Sequence, residues 1–236
     1  MSLNDDAFAP VTSAIGFLNA PLSEVTLGLH AWRTELHGSA WVEQLKGGLV
    51  DNVSKLEPLT AGVRPRELLV QTQNPEWSAL FDCGLNGGDP VSSVGYLAEN
   101  LQCFGVVVRS VPHTVGTEVP GRSGARQLEL FGPIKTEFMN YVRTISLIHD
   151  GSRWRFDANG TVQSFEDVSA YTQRLVRKRF TEEMLENYCS ALGLRPFSLS
   201  FYPGPSTLVT NSSADVPHQS LSLLEAQTRL GINVFP

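Results

Sequence analysis

Two hairpin dipeptides, Asp150-Gly151 and Asn159-Gly160, stand about nine residues apart between short runs of alternating apolar character. That spacing commits this part of the chain to an antiparallel sheet. Asp-Gly and Asn-Gly supply the positive-φ central residues of the tight primed turns whose twist matches paired strands. The strands so delimited run over 141–148, 153–157 and 161–165, a β-meander. In the middle one, Trp154 and Phe156 point to one face while Arg153, Arg155 and Asp157 point to the other, so one side meets a core and the other meets water.

Helical periodicity brackets the sheet signal. Leu22, Val25, Leu29, Trp32 and Leu36 recur at helical spacing between Pro21 and Gly38. A short extended piece around 41–45 follows, then a helix over 49–56 behind Gly47-Gly48. Glu67–Gln73 and Trp77–Cys83 read as a hairpin turning at Asn74-Pro75. Val91, Val94, Leu97, Ala98 and Leu101 mark a helix over 90–101, with Pro90 at the favoured first position. Strands at 105–111 and 127–131 flank an aperiodic stretch, 112–126, whose length in a compact domain points to a functional or mobile loop. Two closing helices are expected over 166–179 and, behind the cap Thr181, up to the stop Gly193.

The chain is therefore expected to be α+β, with a mixed, mainly antiparallel sheet, a meander near 141–165 and four to five helices packed on one side. A single globular domain spans 1–203 in this reading. Beyond Pro203 the composition turns to Ser, Thr, Asn and Pro, which predicts a surface arm over 204–236 with room for a short helix at 221–230.

The stretch 79–110 has the outline of a nucleotide site: strand, Gly84-Leu85-Asn86-Gly87-Gly88, helix, strand. A helix N-terminus behind a glycine loop can hold a phosphate through free backbone N–H groups. Here Asp89 sits at the expected N-cap, where its carboxylate would take those N–H groups and repel an anion. The glycines do not spell GxGxxG, and the preceding strands read as a hairpin rather than a parallel unit. The loop is read as structure. Arg109, about twenty residues on, is the one feature that imitates a phosphate-selecting arginine.

Catalytic and metal signatures are missing from the sequence. There is no GxSxG elbow, Walker loop or SxxK, and no HExxH or HxH. His30 and His37, seven apart on one helix, lie about 10 Å apart along its axis, too far to share an ion. Cys83, Cys103 and Cys189 have neither an even count nor CxxC spacing, so no disulfide framework or zinc knuckle is suggested. No cofactor and no metal are expected. A net charge of −6 argues against non-specific contact with nucleic acid or an anionic membrane. The apolar runs are too short to span a bilayer, and the cytoplasm is the expected compartment.

One charge cluster breaks the acidic background: Arg174, Arg177, Lys178 and Arg179. A helix C-terminus favours cations there, and a partner-binding surface would use them. The resulting expectation is a non-enzymatic protein-binding module, with Arg153, Arg155 and the 174–179 cluster as contacts and another protein as partner. In type the chain resembles the heterogeneous immunity and interaction proteins of bacteria, without a shared motif. The alternative is an enzyme or small-molecule binder with a pocket between the Gly84–Asp89 loop and the His113 loop, lined by Asp82, Asp89, Arg109 and His113. A third is an assembly protein that uses its C-terminal arm.

Overall fold

The central strand of the molecule is β1 (Ala14–Leu18), five residues buried along their whole length. The sequence reading passes over it, because a short run buried on both faces has no alternation to detect. The computed structural model describes residues 2–117, 120–215 and 218–232. Ahead of β6, the chain gives β2 (Ala40–Leu45), β3 (Leu59–Thr60), β4 (Arg66–Gln71) and β5 (Ser78–Asp82). Then come β6 (Gly105–Val111), β7 (Ala125–Phe131), β8 (Tyr141–His149), β9 (Trp154–Gly160), β10 (Ser206–Asn211) and β11 (Ser220–Leu221). The helices are α1 (Leu22–His37), α2 (Leu49–Asn52), α3 (Val91–Asn100), α4 (Glu182–Ala191) and α5 (Leu223–Arg229).

Nine strands form one sheet in the order β2-β10-β4-β5-β1-β6-β7-β8-β9, with every neighbouring pair antiparallel. β3 and β11 pair separately. The fold is α+β. Its helices divide between the two faces of the sheet instead of gathering on one. Alternation along β1 sends Ile15 and Phe17 to a large core that also takes Phe81, Val108, Leu128, Ile145 and Leu147. That core is covered by Leu49 of α2, by Leu185, Tyr188 and Cys189 of α4, and by Ala226 of α5. Leu18, Leu69, Leu80, Val107 and Val209 face the other way and bury Val25 and Leu29 of α1 with Val94, Leu97 and Ala98 of α3. Gly16 allows that approach: a Cβ there would sit 2.6 Å from a Val94 methyl.

Three further expectations are corrected. The meander is β6 through β9, and Asn159-Gly160 does not turn into a further strand. β9 runs on through Gly160, which pairs with Arg143 at φ +90°, and 161–165 leaves the sheet. A turn dipeptide permits a hairpin, but a strand also needs a burying face, and Val162 is 54 % exposed.

The segment 166–179 is not a helix. It holds two short 3-10 turns, Ala170–Thr172 and Val176–Lys178. The Asp167 carboxylate accepts the N–H and hydroxyl of Ser169, a local bond that competes with helix. Val168 and Leu175 are exposed, so no apolar stripe forms, and Arg174, Arg177 and Lys178 would repel at helical spacing.

Residues 206–211 are not part of a surface arm. As β10 they lie inside the sheet between β2 and β4, with Leu208 and Val209 buried on opposite faces. Neighbouring serines and prolines hide the run Thr207-Leu208-Val209-Thr210, three of its four residues β-branched, and packing decides its fate. The helix expected at 221–230 forms as α5, closed by a Ser222–Glu225 capping box. The Gln227 amide donates to the carbonyls of Ala7 and Ala9, so α5 is tied to the segment ahead of β1.

Within α1, Arg33 takes a buried place while Leu36 of the expected stripe is 53 % exposed. Arg33 meets Glu67 of β4 through two hydrogen bonds of 2.6 and 2.7 Å, and Ser93 of α3 bridges the pair. A second buried pair, Arg143 with Glu166, pins the segment after β9 against β8.

Candidate functional site

The glycine loop is built around Asp82. This carboxylate ends β5 fully buried and accepts the backbone N–H groups of Gly84 at 2.9 Å and Asp89 at 2.7 Å. Arg64 Nε lies 3.0 Å away. Burial pushes the Asp82 carboxyl above its ordinary range, and the Arg64 charge opposes that rise. The N–H groups of Gly84, Leu85, Gly87 and Asp89 are thus taken by acceptors of the protein itself. Asp89 is not the cap of α3: Pro90 holds that position with no side-chain bond, and the Asp89 side chain is exposed.

The four residues expected to line one pocket are dispersed. Asp82 is sealed under its loop, and Asp89 acts on Glu129 and Tyr141 of the adjoining sheet face. His113 lies on the other face. A cavity of about 490 Å³ does open between Asn86 of the glycine loop and residues 120–123, and Arg109 alone of the four lines it.

The basic residues converge better. A cleft of about 840 Å³ is lined by Arg153 and Trp154 at the start of β9, by Arg177 and Lys178 from the second 3-10 turn, and by Arg126 of β7. Arg126 donates to Glu182 at 2.9 Å and to the Phe180 carbonyl at 3.4 Å, which closes the floor onto the start of α4. Arg153, Arg177 and Lys178 are exposed and have no ion-pair partner among the described residues. The other three basic candidates stay outside this cleft. Arg155 pairs with Asp150, Arg179 donates to the Gln173 carbonyl at 2.8 Å, and Arg174 is solvated.

Sequence reasoning missed Arg126. Its signal was present: alternation places Arg126 on the same strand face as Leu128 and Leu130, a cation on a core-facing row.

Beside the cleft, His113 and His149 face one another with ring centroids 4.3 Å apart, and Trp154 lies 5.2 and 5.5 Å from them. Each Nδ1 accepts a backbone N–H, from Gly124 and Gly151 respectively, so the neutral rings carry their proton on Nε2. Desolvation, then the His149 and Arg177 charges, hold His113 below its ordinary value of 6.5. A depressed base favours the folded state above the unfolded midpoint and penalises it as pH falls below that value. The expected result is a His113 Cε1–H titration centred below 6.5, moving up in Arg177→Gln. A midpoint at or above 6.5 would refute the depression, and a midpoint unmoved in Arg177→Gln would refute the Arg177 repulsion.

The cysteines are poor nucleophiles. Burial raises the thiols of Cys83 and Cys189, and pushes Cys103 up to about 11. Among the described residues no three His, Cys, Asp or Glu side chains are grouped to hold a metal ion, and no helix is long and apolar enough to cross a membrane. No family model matches this chain, and no curated protein and no solved structure is significantly similar to it.

Proposed function

We propose that this chain is a non-enzymatic binding protein whose basic cleft receives an acidic segment of a partner protein. The observation that carries the reading is the convergence around Trp154 of three cations unpaired among the described residues, Arg153, Arg177 and Lys178, on a chain whose net charge is −6. Local charge of sign opposite to the whole steers an oppositely charged partner and sets its orientation. Trp154 offers the rigid aromatic surface that interfaces favour, and Leu175 beside it is 62 % exposed. Arg126 and Glu182, already paired, give the floor a fixed shape.

Native mass spectrometry of protein purified from its source identifies the partner, and the test is then made on the pair. Arg177→Glu with Lys178→Glu removes two cations and adds two anions at exposed positions. Affinity is expected to fall tenfold or more, about 1.4 kcal/mol or more. The dependence of affinity on salt should also flatten, since screening acts on the charges removed. Unchanged affinity in the double variant, with the fold intact by circular dichroism, overturns the reading.

A further inference from the structure

The cavity of about 490 Å³ lies on the sheet face opposite the basic cleft and is lined by three arginines. Its floor is the ends of β6, β7 and β8. Arg109 pairs with Gln127 in register, and Val111, Ala125 and Ile148 form the next row, all on the α1–α3 face by alternation. Residues 120–123 wall one side and Leu230 and Ile232, after α5, wall another. These walls meet: a Cβ on Gly231, at φ +64°, would fall 1.8 Å from the Pro120 carbonyl oxygen.

Among the described residues the cations here outnumber the anions. Arg109, Arg122 and Arg229 face the cavity, and Asp6 meets Arg122 through one contact of 2.7 Å to Nη2. Arg122 Nε and Nη1 are buried without a hydrogen-bond partner among the described residues. Arg109 donates to the Gly88 carbonyl at 3.3 Å, and its charge acts on the Glu129 carboxylate of the same sheet face. Folded proteins pair nearly all buried donors, so two unused donors on one guanidinium beside a cavity mark a place for an acceptor. Val111, Ile148, Leu230 and Ile232 give the cavity an apolar side, and Ser13, Asn86, Ser123 and Gln127 add neutral polar groups beside the arginines.

We propose that this cavity binds a small organic carboxylate with an apolar tail, its carboxylate held by Arg109 and Arg122 and its tail by Val111 and Ile148. The guanidinium fork matches a carboxylate in plane, and the volume is within the range of small-molecule sites, about 300–1,000 Å³. The assignment is independent of the basic cleft and of any protein partner.

The test is a titration of the full ¹⁵N-labelled chain with octanoate, alongside 1-octanol and inorganic phosphate. Octanoate is expected to give saturable shifts at the amides of Arg109, Val111, Ile148 and Leu230. Arg109→Gln should weaken it tenfold or more, and Arg229→Gln, at an exposed rim position, should weaken it less with the fold unperturbed. Three results overturn the proposal: no saturable shift at millimolar octanoate, octanol binding as well as octanoate, or phosphate saturating the same amides more tightly. Undiminished octanoate binding in both variants overturns it equally.

Discussion

Arg33→Ala is expected to destabilise the protein by about 3–5 kcal/mol, the range for breaking a buried ion pair by removing one partner. In a chain of this size that lowers the melting temperature by about 10 °C. The Glu67 side chain is 1 % exposed, and in the variant it would keep only Ser93 as a donor among the described residues. The guanidinium also lies 4.1 Å from the centroid of the Trp32 ring, which stacks on Tyr96, so α1, α3 and β4 are joined at one point. Arg33→Met with Glu67→Leu tests the origin of the loss. Apolar side chains of similar volume remove the orphaned charge, and the double variant should recover most of the stability. Urea unfolding measures both. A single variant within about 1 kcal/mol of wild type would show that Glu67 finds another partner or water on that face.

That buried pair also shows what the sequence could not say about α1. Arg33 stands one residue from Trp32 in the expected apolar stripe, and a charged residue there reads as the wet side of the helix. Its place inside depends on Glu67 and Ser93, 34 and 60 residues away in sequence. No local pattern reports a partner at that distance. Periodicity finds an element when one face is dry and the other wet, and α1, α3 and α4 meet that condition closely enough for their bounds to be read. β6, a compact valine run closed by Pro112, is legible for a similar reason.

The opposite condition hides β1 and β10. Both are buried on their two faces, one inside an apolar run without alternation and one inside a Ser/Pro-rich stretch. The 166–179 segment fails differently. Its spacing of Phe165, Val168, Thr172 and Leu175 imitates a stripe, yet the burying surface is already taken by α4 and Phe180. For the cleft, the sequence points to Arg153, Arg177 and Lys178 because cations crowd there. Their meeting depends on the same segment being folded back over β9, a tertiary event.

That event rests on Glu166, and Glu166→Ala is expected to cost about 3–5 kcal/mol by leaving Arg143 charged, buried and uncompensated. The Glu166 carboxylate accepts from Arg143 Nε at 2.9 Å and Nη2 at 2.7 Å, from the Gln163 N–H at 2.7 Å and from the Tyr171 hydroxyl at 2.9 Å. Tyr171 in turn contacts the Tyr188 hydroxyl, which receives the Asp167 N–H at 2.7 Å, so the turn is stitched to α4 as well as to β8. Burial, then these neighbours, raise the Tyr171 hydroxyl pKa and keep it a donor at every working pH. Removing the carboxylate therefore frees the strap that carries Arg177 and Lys178. Hydrogen exchange should quicken across 161–180 ahead of the central strands, because that strap becomes a low-stability unit. Partner affinity should fall with it, although Glu166 itself lies outside the cleft. Glu166→Gln keeps the shape and one acceptor, and should lose less, about 1.5–3 kcal/mol for a hydrogen bond to a charged group. If exchange over 161–180 stays at wild-type rates in both variants, the strap is held by its apolar contacts with Phe156 and Phe180, and the ion pair is incidental to the cleft.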